Sequence, residues 1–426
     1  LIDNLFSFSL FLIIEILAGI GEVYMRVSIY KSEIVAGDVK VSAVLTFEES
    51  FRFSDGASSA EVWFSWPASY FLPEREIWDP FVMIALPFAM VAGEDLSVEG
   101  SIDPVLYLNL LEVISIYHWY FPGKTREVEI KVKVDWSAKV GGANDRVGTF
   151  FSGGVDSLFN VADMKRLHKM GVASLVSDLW LVHGMDIRLS DSGLWETTLS
   201  ELSDMASMEG LDVTPVRTNV REVQRGIIGW TDMGFGSILS AVSKLFSEIV
   251  PTALIGSYDL YKYCVPHASS PQLDPFWSCS RQVVRHYTSR VSRMDKIQAI
   301  HMNAPGLLSK VRVCWENTDG QYNCGVCEKC LRTQAQLYAL GILDDVSSFE
   351  GFDLLGNLKG FRLNSSALGN GYTLRFWQEI LDVALENSCS DLVRVLSPIL
   401  KDANRRAHYA AFKRSVKTAI RSGLSH

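Results

Sequence analysis

The feature that most constrains this chain is a strand, a glycine turn and a helix in direct succession near its middle. Residues 147–151 (VGTFF) read as a short buried strand, and Ser152-Gly153-Gly154-Val155-Asp156-Ser157 follows at once, opening a helical stretch over 156–169. Further candidate strands lie at 174–183, 211–216 and 252–256, separated by helical stretches at 195–208 and 233–248. Strands alternating with helices predict an α/β fold, a parallel doubly wound sheet with helices on both faces. Ligands of such sheets sit at the carboxyl ends of the strands. The glycine turn is placed there.

The flanks have a different texture. Residues 25–142 read as a smaller, β-rich α+β domain. Val128, Ile130, Val132 and Val134 alternate with Glu129, Lys131, Lys133 and Asp135, the period of a half-buried strand. One clear helix is predicted there, capped by Asp103, with Pro104 in its first turn and an apolar run to Trp119. Gly141, Gly142, Ala143 and Asn144 form the junction to an α/β domain over 143–345, and 346–426 reads as helical. Residues 5–20 are strongly apolar, yet Asp3 is the only charge ahead of them and Glu15 interrupts them. Those flanks are wrong for a secretory signal and the run is short for a membrane span, so an ordinary buried helix or an upstream stretch is expected.

Composition bounds the function. The 426 residues carry 40 Lys and Arg against 49 Asp and Glu, a net charge of -9, which gives no global footprint for nucleic acid. A local one remains open, because Lys401 to His426 holds seven basic residues and one acid. No membrane association is expected.

The hexapeptide 152–157 has the chemistry of an anion site. Two glycines allow successive N–H groups to turn inward and leave no side chain in the way. A helix start adds its partial positive charge. Ser152 and Ser157 can donate hydroxyls. Asp156 would repel a phosphate directly, so its expected role is to hold Mg²⁺ or to order the loop. The pattern GxxxxGK[ST] is absent, which disfavours γ-phosphoryl transfer.

Four of the seven cysteines fall in residues 314–330 as Cys314, Cys324, Cys327 and Cys330. Four thiolates satisfy a tetrahedral Zn²⁺ with no open position, the signature of a structural site. An iron–sulfur cluster is the competing reading. Lys329 and Arg332 sit beside the cluster and can offset its negative charge. Clustered cysteines in a chain of this size fit metal binding in a reducing, cytoplasmic compartment.

SGGVDS resembles the signature of the PP-loop, or N-type, ATP pyrophosphatase superfamily. Together with Cys324-Gly325-Val326-Cys327-Glu328-Lys329-Cys330-Leu331-Arg332 it resembles, over roughly residues 146–340, 7-cyano-7-deazaguanine synthase and its relatives. The longer chain looks more like specialised deazapurine-type relatives than the housekeeping enzyme. The resemblance implies an adenine nucleotide alpha hydrolase-like core and cleavage of ATP between its α- and β-phosphates. It also implies ATP phosphates on Ser152, Gly153, Gly154, Val155, Asp156 and Ser157, and zinc on the four cysteines.

Residues between the two motifs fill in the expected site. His183 ends the second strand, where the superfamily meets adenine and ribose; a simply hydrogen-bonded histidine is the alternative. Arg221 follows the third strand as a phosphate or carboxylate clamp. The long loop 264–281 offers His267, Asp274, Trp277 and Arg281 to an acceptor, Asp274 being the nearest match to an acidic residue that contacts the heterocycle in the deazaguanine family. Arg293 and Lys296 resemble a basic position that steadies ATP phosphates. Asp156, Ser157 and Lys296 are the expected catalytic set. Cys264 and Cys279 raise a sulfur-transfer reading, which needs an exposed, activated thiol.

The expected activity is an AMP-forming, C–N bond-forming ligase using ATP, Mg²⁺ and a small or macromolecular carboxylate acceptor, with homodimerisation left open. Adenylating modification of tRNA and a non-catalytic ATP-binding module are the alternatives.

Overall fold

The computed structural model describes residues 23–49, 51–137, 144–364, 368 and 372–423. The apolar segment at 5–20, the junction residues 141–143 and the last three residues of the basic tail lie outside them. Among the described residues no helix is long and apolar enough to cross a membrane.

Ten strands form one mostly parallel sheet: β1 (Tyr24–Val35), β2 (Asp38–Phe47), β3 (Ser59–Pro67), β4 (Asp95–Ile102), β5 (Ile130–Val134), β6 (Val147–Phe150), β7 (Asp178–His183), β8 (Val213–Thr218), β9 (Thr252–Gly256) and β10 (Val283–Tyr287). Their spatial order is β10-β9-β6-β7-β8-β3-β2-β1-β4-β5. The half from β10 to β8 is parallel throughout, as alternating strands and helices demand. Its first strand, β6, lies in the middle. The chain steps outward to β7 and β8, then returns to β9 and β10 on the other side of β6. The crevice between the ends of β6 and β9 is therefore the topological switch point, and 152–157 leaves β6 at that place.

The β-rich region joins the same sheet. β3 pairs antiparallel with β8 through Phe64↔Thr218 and Ser65↔Arg217. Two side-chain clasps reinforce the seam: Asn219 Oδ1 accepts from Trp63 N at 2.9 Å, and Thr218 Oγ1 donates to Trp63 O at 2.8 Å. One apolar core then runs from Met25 and Val27 through Phe64 and Trp66 to Trp180, Phe246 and Val284.

The helices are α1 (Asp79–Ala92), α2 (Pro104–Tyr120), α3 (Val155–Lys169), α4 (Ser192–Ser207), α5 (Val220–Gln224), α6 (Phe235–Leu245), α7 (Arg293–Asn303), α8 (Pro305–Ser309), α9 (Glu328–Ala339), α10 (Leu354–Lys359), α11 (Tyr372–Glu386) and α12 (Ser390–Gly423). α1, α2 and α6 contribute to the core shared with the β-rich region; α3, α4 and α7 contribute to a second core that also holds Cys314, Cys324 and Cys330. α9 to α12 close around a third core at Trp377, Ile380 and Leu396. α2 starts as its sequence predicts: the Asp103 carboxylate accepts from Val105 N at 2.9 Å and Leu106 N at 3.2 Å. α1 escaped prediction because it has no polar face. Pro80 to Met90 are all buried, which erases the helical period.

Asp79, at the start of α1, is pushed up to about 6 by burial, with the Asp103 charge adding to the shift and Asp103 N, Lys244 and Arg75 opposing it. Its folded pKa lies above the unfolded value, so stability falls as pH rises through about 4 to 6. Asp79→Asn is accordingly expected to raise the thermal unfolding midpoint at pH 7. The gain should vanish near pH 4, where Asp79 is already neutral in the folded state.

Candidate functional site

The glycine turn is built by local sterics. Gly153 has φ +75°, and a Cβ there would come within 2.7 Å of Leu202 Cδ2. Gly154 caps α3 in extended geometry (φ -77°, ψ 156°). Leu158 N is the first to bond back into the helix, to Gly154 O at 3.0 Å. The N–H groups of Val155, Asp156 and Ser157 therefore have no main-chain acceptor among the described residues, as at any helix start. Ser157 Oγ donates to Gly154 O at 2.8 Å and stiffens the turn.

Asp156 orders this loop through cations. Lys296 Nζ lies 2.8 Å from Oδ1 and Arg293 Nη1 lies 2.8 Å from Oδ2. Both come from α7, which packs along α3. Lys296 also donates to Ser257 O at the end of β9, so one buried ammonium ties β9 to the loop after β6. Burial pushes the Asp156 carboxyl up, but the charges of Lys296 and Arg293 more than offset this and hold it at about 2. Lys296→Met leaves a mostly buried carboxylate with one cation and should cost about 2 kcal/mol in urea unfolding at pH 7. Because the Asp156 pKa is depressed, the stabilisation is present above about pH 4 and fades as pH falls towards 2. The gap between wild type and variant should close over that range.

The loop opens on a cleft of about 400 Å³. One wall is cationic, with Arg293 from α7, Arg312 from the segment after α8, and Lys329 and Arg332 from α9. The other is aromatic and apolar, with Phe150, Trp180, Trp230, Phe235, Tyr258 and His267. α11 adds Tyr372 and Phe376, and the Arg332 guanidinium lies 4.6 Å from the Phe376 ring centre. Arg312 N donates to Gly153 O at 2.9 Å, locking the cationic segment to the glycine turn. Arg293 Nε, Arg312 Nε and Arg332 Nε are buried without a hydrogen-bond acceptor in good geometry. Arg332 Nε does lie 3.1 Å from Glu328 Oε1 as an ion pair.

The four cysteine Sγ atoms lie within 4.8 Å of one another, and Cys324 Sγ is 3.9 Å from Cys330 Sγ. Ligands ~2.3 Å from a tetrahedral zinc are separated by roughly 3.8 Å. The group could hold one metal ion such as zinc. Its scaffold is specific. Asn323 Oδ1 accepts from Val313 N and Cys314 N, while Asn323 Nδ2 donates to Val311 O. Cys327 caps α9 and donates its N–H to Cys324 Sγ at 3.3 Å. Cys314 itself lines the cleft, so the cysteine group backs the cationic wall.

Ser152, Gly154, Val155, Asp156, Ser157, Arg293 and His267 line the cleft as the sequence suggested, and Gly153 and Lys296 shape it from behind. Five other expected residues are placed elsewhere. The His183 ring stacks on Trp195 at 4.3 Å and bonds Arg188 O through Nε2, and burial pushes its pKa down. It is a structural histidine, away from the cleft lining. Asp274 is fully buried and accepts from Ser269 Oγ at 2.7 Å, with His286 Nδ1 also 2.7 Å away; it holds the loop together and does not reach the cleft. Trp277 is likewise buried in the core. Arg281 lies outside the cleft lining, near Asp135. Arg221 lines a neighbouring pocket.

Burial raises the thiol pKa of Cys264 and Cys279, so neither is an activated thiolate. Gly236, in α6, is there for packing, since a Cβ would collide with Ala268 O at 1.7 Å. The sequence reading missed Tyr258, Arg312, Tyr372 and Phe376 as cleft residues. Only Arg312 carried a hint, two residues before Cys314.

Comparison with protein-family models, with curated proteins and with solved structures returned no match.

Proposed function

We propose that this protein is an AMP-forming ATP-dependent ligase of the PP-loop type, similar to 7-cyano-7-deazaguanine synthase. Its α/β half would be an adenine nucleotide alpha hydrolase-like core. The observation that carries this reading is the convergence at one switch point of a glycine turn and four cationic side chains. Val155, Asp156 and Ser157, whose N–H groups have no main-chain acceptor among the described residues, line the same cleft as Arg293, Arg312, Lys329 and Arg332. Such an arrangement suits a leaving pyrophosphate.

ATP enters with its β- and γ-phosphates on the loop and its adenine on the apolar wall. Mg²⁺ travels with those phosphates, which usually supply most of its ligands in such sites. Asp156 holds Lys296 and Arg293 in place. An oxygen of the acceptor carboxylate or amide attacks the α-phosphorus, the bond to the bridging oxygen of the β-phosphate breaks, and pyrophosphate leaves with that electron pair. The cationic wall neutralises the charge that accumulates on it. A nitrogen nucleophile then attacks the acyl-adenylate carbon and AMP departs. Positioning and charge neutralisation supply the catalysis. Zinc on the four cysteines would brace the wall and take no part in the chemistry.

The test is product analysis. Labelled ATP incubated with the protein and a panel of carboxylates should yield AMP and pyrophosphate in step with acceptor consumption. ADP as the sustained product would overturn the reading.

A further inference from the structure

A second cavity of about 320 Å³ adjoins the cleft, sharing the side chains Met185 and Trp230 with it. It lies past the ends of β7 and β8 and is lined by Arg188, Arg221 and Arg225 against one acid, Glu222. None of the three arginines has a carboxylate within ion-pair distance among the described residues, whereas Arg146, Arg293 and Arg375 elsewhere are each paired. Arg221 is fixed from two sides. It donates to Met185 O, and its guanidinium lies 4.1 Å from the Trp230 ring centre. Trp230 opens a π-helical turn, Trp230–Gly234, a rare geometry found mostly where a helix is adapted to a site. Crowding three guanidinium groups with little acid costs free energy unless an anion joins them. Burial and the charges of Arg188 and Arg225 act against Arg221, with only Asp186 helping.

We propose that this pocket binds an oxyanion, a phosphate or carboxylate carried by a small-molecule acceptor, while the acceptor's reacting end passes Trp230 into the main cleft. Planar guanidinium forks suit both oxyanions. The pocket's size suits a small molecule, and the chain's net charge of -9 disfavours a polynucleotide. The oxyanion site stands on its own geometry; its assignment to the acceptor rests on the adenylation reading above.

Calorimetric titration of nucleotide-free protein with inorganic phosphate, and separately with malonate, tests it. Three forms are compared: wild type, Gly154→Asp, which blocks the glycine turn, and R188Q/R225Q, whose two side chains are exposed and whose folding should be untouched. Binding at the arginine pocket should survive in Gly154→Asp and weaken by at least about tenfold in R188Q/R225Q, as expected for lost charge-assisted hydrogen bonds. Affinity for a non-hydrolysable ATP analogue should not change in R188Q/R225Q. The tighter of the two anions identifies the acceptor's group. The proposal falls if R188Q/R225Q binds both anions as wild type does. It also falls if that variant loses the ATP analogue, or if an oligonucleotide occupies the pocket more tightly than either anion. If the pocket binds anions but the protein never forms AMP, the oxyanion site stands and the adenylation reading alone fails.

Discussion

Gly154→Asp is expected to fold as the wild type does and to lose ATP cleavage by roughly 10³-fold. The position accepts a side chain, because its φ is -77° and a Cβ would meet Ser152 Oγ at 3.4 Å and Arg312 O at 3.7 Å. Aspartate is also a favoured residue at a helix N-cap. Its carboxylate would occupy the N–H groups of 155–157, which the proposed function assigns to a phosphate. An anion ~4 Å from another costs about 4 kcal/mol at the effective dielectric of a protein surface, which is the source of the rate factor. Gly153→Ala supplies the contrast. Its positive φ and the 2.7 Å approach of Leu202 Cδ2 make it a folding lesion of about 1–3 kcal/mol. Urea unfolding separates the two variants, since only Gly153→Ala should lower the midpoint. An activity loss in Gly154→Asp that tracks a stability loss would contradict this account.

Removal of the metal ligand set should have the larger effect on stability. Cys330 is fully buried on the first turn of α9, which also carries Lys329 and Arg332. Cys330→Ser is expected to lower stability by about 5 kcal/mol, as loss of a structural metal does. It should also release the cationic wall, weakening an ATP analogue by about tenfold or more. Metal analysis should find one zinc per wild-type chain and far less in the variant. A wild-type protein that is metal-free, yet unchanged in unfolding midpoint on adding zinc, would remove the metal from the account.

What the sequence disclosed was local. The cap at Asp103, the glycine turn and the cysteine cluster each lie within a few residues of chain, and each has its chemistry written in those residues. The helices at 155–169, 192–207 and 235–245 and the strand at 252–256 were legible from pattern alone. What stayed hidden needs the third dimension. β10 (VVRHY) carries Arg285 and His286 and lies at the sheet edge, so it lacks the continuous apolar run of a central strand. The β3–β8 seam joins residues about 150 positions apart, and no local signal marks it. His183 was expected at the site because it ends the second strand, and Asp274 because it resembles an acidic family position. Their partners, Trp195 for one and Ser269 with His286 for the other, give them structural roles instead. Arg312, Tyr372 and Phe376 come to the cleft from segments that the motifs do not include.

The central claim is the proposal that the β- and γ-phosphates of the nucleotide lodge on the main-chain amides of 152–157. Residue-resolved amide NMR during titration with pyrophosphate tests it most directly. The account predicts that the largest saturable shifts fall on Gly153 to Ser157, with Arg293 and Arg332 side-chain signals moving in parallel. Saturable binding that leaves those amides unmoved while shifting another part of the surface would contradict it.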